Sequence, residues 1–302
     1  MKQNRHYGDM LETGMKAGKT VCVGIDPDID LIPKRIRKQV RTIDNQIFTF
    51  CKEIINAMPD IVLAYKLNMA FYAAHQNDGY SALKALISYI HLTAPEIPVI
   101  LDGKRGDIGN TNVGYVSEAF EWFGADAVTV SPYLGSESLS PFLRRPEKGI
   151  IVLCRTSNPE SNEFQGNQVI IEDPEEIEAL SALSGATGYV TQQDGWIQVA
   201  PFYQHVAYRV ARHWNQRGNC GLVVGATYPK ELGQVRLIAP DLPFLIPGIG
   251  AQGGDVEATV QNGRNSAGNG MIINSSRGII YAEDPRTESL RLDGLIRQFA
   301  TA

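Results

Sequence analysis

Asp102-Gly-Lys104-Arg-Gly-Asp107 sets charged side chains of alternating sign within six residues, directly after the apolar run Ile97-Pro-Val-Ile-Leu101. A lysine flanked by carboxylates stays an ammonium, so it offers positive charge and a proton together. The same charge makes it a poor Schiff-base nucleophile, which has to be neutral. Residues 102 and 104 differ by two, so on extended backbone both side chains leave on the same face. Gly103 and Gly106 keep side-chain bulk away and let the backbone approach a ligand closely.

The elements that must hold these residues are read from periodicity. Ile97–Leu101 is too short and too Pro-broken for a helix and reads as a buried strand. Asp102, Lys104 and Asp107 then fall where that strand stops and its loop begins. Seven more apolar runs read the same way, at 20–25, 61–65, 126–130, 149–154, 219–225, 243–246 and 270–273. Helical spacing recurs over 5–17, 44–57, 78–92, 112–123, 201–217, 229–238, 254–262 and 287–299; in the second of these Ile47, Phe48, Cys51, Ile54 and Ile55 form one stripe.

Short buried strands alternating with helices, and no polar strand face, give parallel βα units. Eight such units in 302 residues point to an α/β fold, a (β/α)8 TIM barrel. A doubly wound open sheet is the alternative, but it would use mainly the strand ends beside its switch point. Here nearly every strand closes on a polar residue or glycine, at Asp26, Lys66, Asp102, Ser131, Ser157, Gly248 and Asn274. A barrel collects those ends around one mouth. The chain reads as a single domain, 1–302, decorated after strand five by an insertion at about 158–200, with a hairpin at 188–191 and 196–199.

Net charge is −5 and the basic residues are scattered, which argues against a nucleic-acid partner. No apolar run approaches the roughly 18–20 residues that span a bilayer, so no membrane partner is expected. The first 18 residues are polar and charged, unlike a secretory signal. Cys22, Cys51, Cys154 and Cys220 form no CxxC pair and fall in apolar elements, so they read as core residues in a reducing cytoplasm. The five histidines show no metal spacing.

Gly248-Ile-Gly250-Ala-Gln252-Gly253 satisfies G-x-G-x-x-G, yet it follows strand seven, and the next strand ends in Asn274-Ser-Ser-Arg277 rather than in an acid. That argues against a dinucleotide fingerprint. Glycine-rich backbone at this place suits a phosphate, for which Arg277 supplies a bidentate fork.

Leu101-Asp102-Gly-Lys104-Arg-Gly-Asp107-Ile108 closely resembles the catalytic signature of the orotidine 5′-phosphate decarboxylase family. The resemblance covers almost the whole chain: Val23-Gly-Ile-Asp26-Pro27, Tyr65-Lys66, Thr129-Val-Ser-Pro-Tyr133, Arg155-Thr-Ser157-Asn-Pro159, Pro247–Asp255 and Ser276-Arg277 fit in order. The bulk after strand five is similar to the longer bacterial branch. The resemblance implies decarboxylation of orotidine 5′-monophosphate to UMP without metal or organic cofactor. It implies that Lys104 protonates pyrimidine C6, that Asp102 lies against the departing carboxylate, and that Lys66 bridges the ribose and Asp102. Asp26 would bind the ribose hydroxyls, Ser157 the pyrimidine amide, and Gln252 and Arg277 the phosphate. Asp107, Ile108 and Thr111 would reach into the neighbouring subunit's site, which implies a homodimer. Shorter members carry Gly-Arg where Ser276-Arg277 stands here.

Two rivals differ in testable ways. A magnesium-dependent sugar-phosphate decarboxylase or aldolase of the same barrel group shares the Asp-x-Lys-x-x-Asp spacing but needs a carboxylate at the end of strand two. Lys66 stands there, with no acid from Leu63 to Gln76. A non-catalytic nucleotide-binding barrel would have lost a catalytic charge, and none is missing. Arg105, turned away from 102 and 104 by alternation, is expected in a loop or subunit contact.

Overall fold

The structure, a computed structural model, describes residues 5–182, 188–192, 195–250 and 253–300. Eight parallel strands close into a barrel: β1 (Val21–Gly24), β2 (Ala64–Asn68), β3 (Val99–Arg105), β4 (Ala127–Val130), β5 (Gly149–Arg155), β9 (Cys220–Val224), β10 (Phe244–Ile246) and β11 (Met271–Ser275). The gap in that numbering is the insertion, where β6 (Gln168–Ile170), β7 (Gly188–Gln192) and β8 (Gly195–Pro201) pair antiparallel in the order β6-β8-β7. The expected hairpin is its β7–β8 half. A helix at Pro174–Ser181, started by the Asp173 carboxylate accepting from the Glu175 amide, completes the insertion.

The two-residue alternation of the strands builds the barrel interior in layers. Cys22, Ala64, Ile100, Ala127, Ile151, Val223, Leu245 and Ile272, one from each strand, form a dry layer. Tyr7 and Leu11 of helix Tyr7–Lys16 join that layer, so the N-terminal helix closes one end of the barrel. Two residues further along the strands, Lys66, Asp102, Thr129, Leu153, Pro247 and Asn274 line a cavity of about 1050 Å³ at the other end. The outer faces of the strands pack against the helices, in a second and larger core that holds Val23, Tyr65, Leu101, Val128 and Val152.

Three local expectations shift. The second strand starts at Ala64 rather than Ile61, because Ile61 and Val62 amides turn back onto the Met58 carbonyl to finish the preceding helix. Lys66 is therefore a mid-strand residue. The third strand continues through Arg105 with a register shift between Leu101 and Arg105, where Lys104 takes φ +46°. A helix at Gly135–Leu143, containing Pro141, follows β4 where no helical pattern was evident. All four cysteines are buried and free, and among the described residues no helix is long and apolar enough to cross a membrane.

The closed end is fastened by charge as well as by packing. Arg5 donates to both carboxylate oxygens of Asp126 at 2.9 and 2.7 Å and to the Ile97 carbonyl, and Asp126 also accepts from the Val99 amide. Burial pushes the Asp126 carboxyl up, but Arg5 and His91 outweigh it and hold it at about 2. Arg5→Met leaves a buried carboxylate short of its main partner and should cost about 3–5 kcal/mol near pH 7. Urea unfolding measures this; a loss below about 1 kcal/mol would show that apolar packing alone secures the helix.

Candidate active site

The cavity floor is a chain of alternating charges. Asp26 follows β1, Lys66 lies in β2, and Asp102 and Lys104 lie in β3, so adjacent strands place them side by side. Lys66 Nζ sits 3.6 Å from Asp26 Oδ2 and 3.2 Å from Asp102 Oδ2, and Lys104 Nζ sits 2.7 Å from Asp102 Oδ1. Asp26 and Lys66 are buried, whereas the Lys104 side chain is 50% exposed towards the opening. The array balances itself, with two cations against two anions. It also leaves no bare pair of carboxylates, because the Lys66 ammonium stands between them.

Both carboxylates are also fixed by neutral donors. Thr129 accepts from the Lys104 amide at 3.0 Å, so its hydroxyl proton points to Asp102 Oδ1 at 2.8 Å. That bond secures the left-handed turn at Lys104, a conformation that costs a non-glycine residue roughly 1–2 kcal/mol. Asp26 accepts from the Asn68 amide at 3.0 Å and the Ser276 hydroxyl at 2.8 Å. Gly24 makes room for the latter: a Cβ there would lie 1.8 Å from Ser276 Oγ.

The electrostatics follow from burial opposed by neighbours. Burial raises the Asp102 carboxyl, but Lys66, Lys104 and Thr129 prevail and hold it at about 2. Burial lowers Lys66, and the Asp26 and Asp102 carboxylates more than reverse this, so it stays cationic. Cys22, beneath them, is pushed up to about 12 by burial, and its thiol donates to Asn274 Oδ1.

The far wall comes from the ends of β5 and β9 and from the insertion: Thr156, Ser157, Asn158, Pro159, Gln165, Thr227 and Tyr228. Gly225 lets the Ser157 backbone approach, since a Cβ would meet it at 2.7 Å. Arg155, fully buried, donates to Glu231 and Ser161 and lies 3.7 Å over the Tyr228 ring, bracing this wall from behind. At the mouth, Arg277 follows β11 and lines the cavity with no side-chain partner among the described residues. The neighbouring strand β10 leads into the glycine loop, where Gly248 and Gly250 have positive φ and the Gly254 amide donates to the Gly248 carbonyl. Gln252 lies outside the described residues.

Asp26, Lys66, Asp102, Lys104, Ser157 and Arg277 thus share one cavity. Asp107, Ile108 and Thr111 do not line it: Asp107 accepts from the Ile108 amide, and Ile108 and Thr111 are exposed. Arg105 turns away to pair with Glu118 at 2.8 Å. The sequence reading gave no role to Asn68, Thr129, Gln165 or Ser276. Thr129 carried a signal, as the one polar residue of β4, two positions beyond the apolar layer at Ala127. Ser276 stood only beside Arg277 in the family resemblance, and Gln165 carried no signal, because the partners of both are set by the fold.

Chemically, the arrangement presents a fixed carboxylate and a half-exposed ammonium at one point of a deep cleft. A bond whose electrons collapse towards Lys104 would be stabilised there and the resulting carbanion protonated. Lys66→Met should cost about 3–5 kcal/mol near pH 7, because two buried carboxylates lose their shared cation. The wild-type Asp102 carboxyl lies below its unfolded value of about 3.9, so its stabilisation holds above that pH and is lost as pH falls towards 2. In the variant this carboxyl rises, so the stability gap narrows as pH falls from the variant's raised value towards about 2. Urea titrations across that range check it; a gap independent of pH would assign the loss to packing.

Comparison with known proteins agrees along the chain. The family described as orotidine 5′-phosphate decarboxylase / HUMPS matches residues 19–292. An orotidine 5′-phosphate decarboxylase from Janthinobacterium sp. (strain Marseille) is 46% identical over 267 residues, 88% of this chain and 86% of the relative. Among solved structures, the UMP synthase of Leishmania donovani superposes with a TM-score of 0.81 at 37% identity, covering 98% of this chain and 57% of that one. The OMP decarboxylase of the same organism superposes at 0.77 with 35% identity over 98% of this chain and 99% of that one.

Proposed function

The chain belongs to the orotidine 5′-phosphate decarboxylase / HUMPS family, and from that premise we propose how its cavity performs the decarboxylation of orotidine 5′-monophosphate to UMP. This carboxy-lyase reaction is the last step of pyrimidine nucleotide synthesis. The observation that carries the residue assignments is the charge array Asp26–Lys66–Asp102–Lys104, whose two carboxylates are also held by neutral donors.

Asp102 receives the substrate carboxylate against its own fixed negative charge. That repulsion vanishes as carbon dioxide leaves, so it acts on the bound substrate and not on the transition state, which is differential binding. The carbon–carbon bond breaks, its electron pair stays on C6, and the Lys104 ammonium stabilises that charge and delivers a proton to it. Lys104 then recovers a proton from solvent, to which its half-exposed side chain has access. Lys66 holds Asp102 in place and reaches the ribose, and Asp26 accepts from the ribose hydroxyls. Ser157 meets the pyrimidine amide. Arg277, with Gln252, takes the phosphate, whose binding energy helps hold the ring on the array. No metal or organic cofactor enters these steps. The whole of 1–302 acts as one domain, in a cytoplasmic setting that suits four buried thiols.

The working unit is a homodimer in which Asp107, Ile108 and Thr111 complete the partner's cavity. Their place outside this chain's own cavity supports that reading. So does the exposed apolar surface around them, Ile108, Val113, Tyr133 and Leu134, at the starts of the packed helices after β3 and β4.

Lys104→Ala should lower turnover of orotidine 5′-monophosphate by at least about a thousandfold while UMP still binds, read by loss of the substrate's ultraviolet absorbance. Near-normal turnover would remove Lys104 from the chemistry. EDTA should leave the wild-type rate unchanged; inhibition reversed by magnesium would favour the sugar-phosphate chemistry. Equal mixing of Lys104→Ala and Asp107→Ala chains should restore about a quarter of wild-type activity, since half the dimers then carry one intact site. Absence of recovery would show that each chain completes its own site.

A further inference from the structure

Beyond Asn158 and Pro159 at its start, the inserted segment contributes Gln165 to the cavity wall among the described residues. Its placement does not depend on the tip of the insertion. The Gln165 amide donates to the Ser161 carbonyl at 3.0 Å, and its carbonyl accepts from the Tyr203 amide at 3.0 Å, at the start of helix Phe202–Arg209. From there Gln165 Oε1 accepts from the Thr156 amide at 2.8 Å, and Gln165 Nε2 donates to Thr156 Oγ1 at 2.9 Å.

These bonds have a direction. The Thr156 hydroxyl, engaged by Gln165 Nε2 as an acceptor, is left to donate, and Asn158 Oδ1 at 2.7 Å is a nearer receiver than Gln165 Oε1 at 3.2 Å. Only the oxygen of the Asn158 amide can accept, so the amide is held one way round and its NH2 group is left as the open donor. Among the described residues that NH2 group has no partner, and Asn158 lines the cavity beside Ser157. The backbone of this stretch is held independently, by Thr227 on the Ser157 carbonyl and Tyr228 on the Asn158 carbonyl.

We propose that Gln165 is a positioning residue for base selection: through Thr156 it orients the Asn158 amide as a donor, so that the wall beside Ser157 favours a pyrimidine bearing a keto oxygen over one bearing an amino group. The inference rests on the placement of the base against Ser157. A wall that presents a donor favours a ligand that accepts over one that also donates, because the second pairing gains no hydrogen bond and sets donor against donor. Gln165 touches no reacting atom in this scheme; its effect travels through two hydroxyl and amide orientations.

Competitive inhibition by UMP and by CMP tests this in wild type, Gln165→Met and Asn158→Asp, with unfolding midpoints measured alongside. Gln165→Met breaks the relay at similar volume, and the preference for UMP over CMP should fall roughly tenfold. Asn158→Asp replaces the donor by acceptors, and the preference should move towards CMP by at least as much. A purely structural role would weaken both nucleotides equally and leave the ratio unchanged, which would overturn the proposal. Ser157→Ala separates the two levels. If it narrows the ratio while Gln165→Met and Asn158→Asp do not, the relay is wrong and the base placement stands. If no variant moves the ratio, the base does not lie against this wall and both fail.

Discussion

A lysine ammonium inside a barrel is tolerable only when its charge is matched, and Lys66 is the point from which the site is organised. Moving such an ion into a protein interior costs several kcal/mol even after relaxation, and only close carboxylates offset it. Asp26 and Asp102 provide them, from the strands on either side of β2. Two anions then call for a second cation, which Lys104 supplies from beyond Asp102. The balance is local, and it leaves Lys104 as the half-exposed cation at the opening of the cavity.

Neutral groups convert that balance into a fixed geometry. Thr129 ties Asp102 to the backbone of Lys104, so the carboxylate and the ammonium move as one unit. Below them the dry layer from Cys22 to Ile272 keeps water from the underside of the array. Interactions among charges are therefore stronger than they would be in a solvated groove. The role proposed for Asp102 needs such a support, because a mobile carboxylate would swing away from the repulsion.

Much of this was legible in the residues. Alternation along Ile97–Leu101 put residues 102 and 104 on one face, and the polar ends of successive strands pointed to one mouth. The same face was reached by a different backbone, however, since Lys104 leaves the extended region and a hydroxyl on the next strand holds it there. Periodicity reports which face a residue takes; it carries no information on a single turned dihedral. Helix Gly135–Leu143 escaped because Pro141 masks its pattern, and Gln165 because a glutamine in a polar insertion looks like any solvated side chain. The interactions that sequence cannot show are those between residues brought together only by closure of the sheet.

The bond from Ser276 to Asp26 belongs to that last group, and it has a consequence for the birth of the molecule. It spans 250 residues, between the end of the first barrel strand and the residue after the last. During synthesis the chain emerges from its N-terminus at about 5–20 residues per second. Asp26 is thus exposed early, while its hydroxyl partner appears only with the final tenth of the polypeptide. Until then the barrel is an open sheet with two unpaired edges. A ribosome-bound chain can carry every charge of the array and still lack the hydroxyl that fixes its first carboxylate, so the finished site arrives late and all at once.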